Sequence, residues 1–311
     1  MKKILLLILI ISLIAIPISS CTPASGPDEP LTYSEGLEFK LDPSGAGYSV
    51  FLGTCDEENI IIPTYDENGR FIARVGFGFE DNRNNIKSIR FMDDREVLYG
   101  SIRSDSLEYI EFPQNLKVIG RSFLSHCTAL KSVTIPDGVI ETNRLFTQCT
   151  SLETVKLPKD LYEIGEATFA YCSSLKEIDI PDGTFKIRDS VFYDCSSLKS
   201  INWSENLEFI GNRAFENCVS LETIDIPDGV EWIYDSAFYG CSSLKVIELP
   251  ESLKYLGESV FGNCIALEEI RVPMTIEEWN ALEKHAEWSK DLLWPCKIVC
   301  TDGEIPHVEI K

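Results

Sequence analysis

Between Leu107 and Pro273 the chain repeats a short alternation of apolar and polar positions, Leu-x-x-Ile-x-Ile-Pro. It is seen as Leu130, Val133, Ile135 and Pro136, and again as Leu175, Ile178, Ile180 and Pro181. Apolar residues two apart with polar residues between them have the period of a half-buried strand, and the proline that follows denies the ladder a donor. Each strand is therefore predicted to be short. A second apolar set follows in each copy, such as Leu161, Ile164 and Phe169, so both halves of the unit return side chains to one interior. The glycine after the second isoleucine, as at Gly165, Gly211 and Gly257, is expected to supply an unusual backbone angle.

The unit recurs at a fixed period. Its cysteine stands at Cys127, Cys149, Cys172, Cys195, Cys218, Cys241 and Cys264, at an interval of 22 residues once and 23 thereafter. Three residues before each stands Phe or, once, Leu124. A unit this small cannot bury its apolar face alone and must stack on its neighbours, which makes the fold a solenoid. Counting from Ile86 to Leu267 predicts nine first-half strands, or ten with Ile60. Residues 48–273 are thus expected to form one elongated domain, a repeat solenoid of the α/β type, mainly β.

The unit Leu-x-x-Ile-x-Ile-Pro-x-x-Val-x-x-Ile-Gly-x-x-Ala-Phe-x-x-Cys resembles the BspA-like, treponemal type of leucine-rich repeat, with Ile60-Ile61-Ile62-Pro63 as a degenerate opening copy. The resemblance implies short parallel strands and an exposed sheet face as the usual binding face. It also implies a role in attachment to host matrix proteins or to other cells. Two departures are local: Ser204 replaces the proline after Trp203, and the copy ending at Cys149 is one residue short near Glu141. A bulge or kink is expected at each.

Outside the repeats the ends read differently. Residues 1–20 pair Lys2 and Lys3 with an apolar run from Ile4 to Ile18, too short for a comfortable membrane span and flanked as a signal peptide is. Ile18-Ser19-Ser20-Cys21 is similar to the lipobox of bacterial lipoproteins, in which Cys21 would be lipidated and become the mature N-terminus. An ordinary secretory peptide is the alternative. Acyl chains contribute roughly 0.8 kcal/mol per buried methylene, so the anchor would be lasting. Residues 21–47 then read as a Pro-, Ser-, Gly- and acid-rich tether. After Pro273, residues 274–311 form a C-terminal cap: Thr275 and Glu278 have capping-box spacing, and Trp279, Leu282 and Ala286 are predicted to share one helix face. Trp288, Leu292, Leu293 and Trp294 extend that cover, and Cys296 to Gly303 read as a terminal strand and turn.

The outward positions form columns. One reads Lys87, Glu108, Lys131, Glu153, Lys176, Lys199, Glu222, Lys245 and Glu268, nearly alternating in charge, which favours correct stacking register. A second, between the two isoleucines, carries Asp179, Asn202, Asp225 and Glu248, an acidic strip and candidate partner-binding site. A third places Phe209, Trp232 and Tyr255 in succession, a predicted aromatic stack that serves either packing or a glycan or protein loop.

Seven cysteines at equivalent positions of parallel coils repeat about 4.8 Å apart with parallel vectors, unsuited to disulfides or to a tetrahedral metal site, and read as buried apolar residues. The spacing leaves the pairing of Cys55, Cys296 and Cys300 open, and zinc on Cys296 and Cys300 with His285 or His307 lacks regular spacing. With three histidines, no phosphate-binding loop and no nucleophile motif, catalysis and cofactors are not expected. Pro-Asp-Gly at 136–138, 181–183 and 227–229 is turn chemistry, with calcium binding as the alternative. A formal net charge of −22 disfavours nucleic acid and anionic membrane surfaces as partners, leaving the lipid anchor as the one membrane contact. The expected role is therefore a cell-envelope lipoprotein that binds proteins, adhesion included, with glycan capture or an architectural spacer as alternatives.

Overall fold

The computed structural model describes residues 33–41, 47–53, 55–77, 85–92, 95–293 and 295–306. The leader, Cys21 and the tether as far as Thr32 lie outside the described residues, as do Trp294 and His307. Each coil contributes two short parallel strands, one per half of the repeat. The first-half strands run from Asn59–Ile62 and Ser88–Phe91 through Ser132–Thr134 and Glu177–Asp179 to Glu269–Arg271. Among the described residues there are ten, so the copy at Ile60 is a full member. The second-half strands include Val97–Ile102, Glu163–Ile164, Phe209–Ile210, Trp232–Ile233 and Tyr255–Leu256.

The two ladders differ in continuity. The second-half strands from Glu141–Thr142 to Glu283–Lys284 form one sheet of seven. On the first-half side the hydrogen-bonded ladder falls into four sheets, open between Tyr109–Glu111 and Ser132–Thr134, between Thr154–Lys156 and Glu177–Asp179, and between Ser200–Asn202 and Thr223–Asp225. Prolines end these strands as expected, since Pro136, Pro181 and Pro227 each accept the next turn's amide instead of extending the ladder.

The interior is a column of identical side chains. Rings of Phe146, Phe169, Phe192, Phe215, Phe238 and Phe261 lie fully buried and stacked, with centroids 5.1 to 6.0 Å apart. Offset aromatic pairs contribute about 0.5 to 1.5 kcal/mol each beyond their area, so the column does much to hold coil to coil.

The glycines play a different part from the one expected of them. Gly165, Gly211 and Gly257 do not take the left-handed angle; that falls two residues later, at Ala167, Arg213 and Ser259, and again before the cysteine, at Tyr171, Asn217 and Asn263. What Gly165 lacks is room: a Cβ there would stand 1.5 Å from the Thr142 carbonyl oxygen of the preceding coil. At Gly211 a Cβ would meet Asp189 Oδ1 at 2.6 Å, the oxygen that accepts the Asn212 amide.

Neither copy carries a bulge within its strands, but each stands at an open step: the second-half ladder is open between Val118–Ile119 and Glu141–Thr142, and the first-half ladder between Ser200–Asn202 and Thr223–Asp225. Glu141 pairs with Glu163 and Thr142 with Ile164 in plain parallel register, because the missing residue falls in the turn after Thr142. Buried Thr142 and Thr168 hydroxyls sit 3.2 Å apart where isoleucine and the usual turn would be. At Ser204 the hydroxyl accepts the Asn206 amide at 3.1 Å and the carbonyl accepts Leu207, so serine closes the same turn that proline closes elsewhere.

Both ends are covered. Part of the expected tether is folded: Glu38–Leu41 pairs antiparallel with Tyr48–Phe51, and Leu37 and Phe39 pack against the core. Two apolar side chains and an open ladder edge give this segment something to order on. At the other end the capping box forms, with Thr275 Oγ1 accepting the Glu278 amide and Glu278 accepting the Thr275 amide. Its helix spans only Ile276–Ala281. Leu282 is the C-cap and Ala286 is exposed, because Glu283–Lys284 leave the helix to pair with Tyr255–Leu256. Trp279 and Trp288 meet edge to face at 5.4 Å beneath, and Lys297–Cys300 turns back through Gly303–Ile305.

Candidate interaction surface

In the first-half strands the central residue points inward and its two neighbours outward, as Glu177, Ile178 and Asp179 show. The charge column forms ion pairs at some steps, Glu153 with Lys176 at 3.7 Å and Glu222 with Lys245 at 3.4 Å, each at least half exposed. Pairs so exposed contribute about 0 to 1 kcal/mol, enough to bias register and little more.

The acidic strip is less open than its sequence suggests. Asp179 accepts a hydrogen bond from the Asn202 amide group one coil on. Glu248 is bound by Arg271 at 3.0 Å, and Arg271 also reaches Glu269, whose carboxyl it holds below the usual range. Asp225, by contrast, makes no ion pair among the described residues and stays exposed. Three residues further along each coil runs a second acidic row, Asp182, Glu205, Asp228 and Glu251, all exposed, of which the Pro-Asp-Gly turns account for Asp182 and Asp228. Its signal was the acid after each Pro or Ser204, legible as chemistry only once the turn is seen to lie beside the strip.

A cleft of about 410 Å³ opens where these two rows meet the cap. Its lining includes the exposed Asp225, Asp228, Pro273 and Thr301, with Ile226, Leu249 and Val272 buried beneath them. A second cleft of about 410 Å³ lies at the first open step of the ladder, beside Tyr109, Glu111, Thr134 and Lys156. Its charges are mixed. No cluster of His, Cys, Asp or Glu able to hold a metal ion occurs among the described residues, Pro-Asp-Gly turns included.

Phe209, Trp232 and Tyr255 lie on the other ladder, paired Phe209 to Trp232 to Tyr255, so they do not join the acidic strip in one site. Nor do they stack on one another. Tyr234 enters between coils, its ring 4.6 Å from Phe209 and 5.5 Å from Tyr255. It occupies the column that holds Gly211 and Gly257 in the adjacent coils, and this exchange of Gly for Tyr was the sequence signal that was missed. Lys254 places its ammonium 5.5 Å from the Trp232 ring centroid. All four rings are half-buried: Tyr234 packs between Phe209 and Tyr255, and Lys254 lies over Trp232.

All ten described cysteines are buried, and the nine other than Cys55 are free, Cys296 and Cys300 among them. The repeat thiols also do more than fill space. Cys172 Sγ lies 3.2 Å from the Phe146 carbonyl, Cys195 3.1 Å from that of Phe169, and Cys218 3.2 Å from that of Phe192. Each thiol donates to a carbonyl of the preceding coil. Burial pushes Cys127 up to about 12 and holds Cys149, Cys172, Cys195, Cys218 and Cys241 well above the ordinary thiol range.

The sequence profile of the BspA type leucine rich repeat region matches in six copies, over residues 99–184 and 163–282. No curated protein matches the chain. Among solved structures it is similar to the T. pallidum leucine rich repeat protein, at 23% identity and TM-score 0.46, covering 76% of this chain and 90% of that one. A leucine rich cell surface protein of Faecalibacterium prausnitzii A2-165 is 22% identical with TM-score 0.34, covering 83% of this chain and 99% of that one. The pneumococcal vaccine antigen PcpA is 19% identical with TM-score 0.41, covering 87% of this chain and 93% of that one. Among the described residues no helix is long and apolar enough to cross a membrane.

Proposed function

Because the chain belongs to the BspA type leucine-rich repeat family, whose profile spans more than half of it, we propose that it is a bacterial cell-envelope lipoprotein whose solenoid binds a protein ligand. The family is one of surface repeat proteins that generally act through protein interaction. Cys21 is the lipid attachment site, residues 21–32 and the chain beyond them carry the solenoid away from the membrane, and the domain faces outward to host matrix proteins or other cells. The observation that supports this reading is the outward face of the first-half strands. Its exposed carboxylates at Asp225 and Asp228 are not consumed by the ion pairs that hold neighbouring coils together.

Protease treatment of intact cells, followed by mass spectrometry of released solenoid peptides, tests the display. Cys21→Ala, compared with the parent chain in membrane fractions, tests the anchor. Release of solenoid peptides from intact cells and loss of membrane association in the variant are the expected results. Full protection of a membrane-bound chain would exclude adhesion and place the partner among envelope proteins.

A further inference from the structure

We infer that the second-half face carries a self-pairing surface, on which two copies of this chain meet across a two-fold axis at the coil of Tyr162. The surface goes beyond the protein-ligand reading, because it lies on the ladder opposite the first-half face and leaves that face open.

The patch is apolar and exposed. Just before each second-half strand stands a column that reads Lys117, Ile140, Tyr162, Phe185 and Glu208 in successive coils. From Ile140 to Glu208 each amide donates to the carbonyl one coil back, so these positions are direct neighbours. Ile140 is 58% exposed and Tyr162 51%, and the Phe185 ring lies 5.4 Å from that of Tyr162. Beside them Val118 is 38% exposed. Contiguous apolar side chains this open mark an interaction site. They gather where the short copy leaves the second-half ladder open, between Val118–Ile119 and Glu141–Thr142.

Charge selects the occupant. Two chains of net charge −22 repel one another, so a second copy fits only where the local pattern matches itself. A two-fold axis along the strands, at the coil of Tyr162 and Glu163, reverses the order of coils and sets each column opposite its own copy. In the first column Ile140 then faces the partner's Phe185, Tyr162 faces its own copy, and Lys117 faces the partner's Glu208. In the strand column, whose register is Glu141 to Glu163 to Lys186 to Phe209, Glu141 faces the partner's Lys186 and Val118 faces the partner's Phe209. Apolar meets apolar and acid meets base at every step but one. On the axis Glu163 meets its own copy, and Arg188, 3.8 Å away in the same chain, offsets that charge. Glu141, Lys186 and Glu208 form no ion pair among the described residues, so their charges are available to a second copy. At about 4.8 Å per coil the five matched coils span about 20 Å, an interface suited to a weak, reversible pair.

An on-axis thiol tests the arrangement. The probe is the full chain carrying Glu163→Cys, solubilised in non-ionic detergent at about 0.15 M salt and oxidised with copper phenanthroline, with the disulfide dimer read on a non-reducing gel. The described native thiols are buried, and the parent chain is the blank. The expected result is a dimer at least fivefold more abundant than with Asp228→Cys on the first-half face. Adding Glu141→Lys or Lys186→Glu should each lower the yield at least fivefold, and the two together should restore it to within twofold. A response to net charge alone would move the two single variants in opposite directions, since one makes the chain less negative and the other more so. Tyr162→Asp, at an exposed position, should also lower the yield at least fivefold with unchanged circular dichroism. Equal yields from Glu163→Cys and Asp228→Cys, opposite responses of the two single variants, or no effect of Tyr162→Asp would overturn the pairing. Absence of the dimer in the Glu163→Cys chain would overturn the second copy as occupant.

Discussion

Raising the pH should unfold this solenoid through its own interior. Six repeat thiols, Cys127, Cys149, Cys172, Cys195, Cys218 and Cys241, are held protonated by burial in the folded chain. In the unfolded chain each would titrate near 8.5. A folded pKa raised above the unfolded one gives stability that is whole below about pH 8.5 and is lost as pH climbs toward the folded value, here about 12 or higher. At pH 10 each thiol then favours the unfolded chain by roughly 2 kcal/mol, and six together by roughly 12 kcal/mol. That matches the whole stability of an ordinary domain, about 5 to 15 kcal/mol. The solenoid should hold to about pH 9 and unfold cooperatively by about pH 10.5, well before the thiols ionise in place. Far-ultraviolet circular dichroism follows the fold while short pulses of iodoacetamide, read peptide by peptide in the mass spectrometer, follow the thiols. The repeat cysteines should stay unlabelled at pH 8 and become labelled together, in step with the loss of dichroism. Labelling of individual repeat cysteines at pH 8 to 9 in a chain that keeps its dichroism would refute the reasoning.

Other perturbations bear on single links. Gly165→Ala should cost about 3 kcal/mol or more, since its Cβ would collide with the Thr142 carbonyl, whereas Gly69→Ala, with φ +72° but nothing within 4 Å, should cost about 1 kcal/mol; urea unfolding ranks the two. Phe192→Ala, which removes the middle of the buried ring column, should lose about 3 to 5 kcal/mol by the same measurement. Thr275→Ala should weaken the C-terminal cap by about 1 kcal/mol, visible as faster hydrogen exchange at Leu282 and Lys284 with little change in the central coils.

How much of this was legible in the sequence depended on how local the cause was. The period of Leu130, Val133, Ile135 and Cys149 carried the fold, because each coil buries the same residues against copies of themselves. The alternating charge column does form ion pairs between neighbouring coils, as at Glu153 with Lys176 and Glu222 with Lys245, whereas the partners within the acidic strip and among the rings are not legible in the columns. Asp179 and Glu248 are occupied by Asn202 and Arg271, and a column cannot show which way such side chains turn. The third aromatic column failed at Tyr234, a residue of the next column that enters between two neighbours because glycines flank it. The glycines themselves were read as conformational, yet Gly165 answers to a carbonyl in another coil, a constraint that exists only after stacking. In the same way the thiols looked merely apolar until the carbonyls of the preceding coil were placed beside them.

The most direct test of the central claim is photo-crosslinking on living cells. A photoreactive amino acid is placed at Asp228, exposed at the cleft, and in a separate chain at Glu283, on the opposite ladder and beyond the self-pairing patch. Illumination of cells bathed in matrix proteins or mixed with other cells should yield a protein adduct from the Asp228 position that added protease removes, and none from Glu283. Adducts from both positions alike, or from neither while the chain is displayed and folded, would contradict a solenoid that binds proteins through its first-half face.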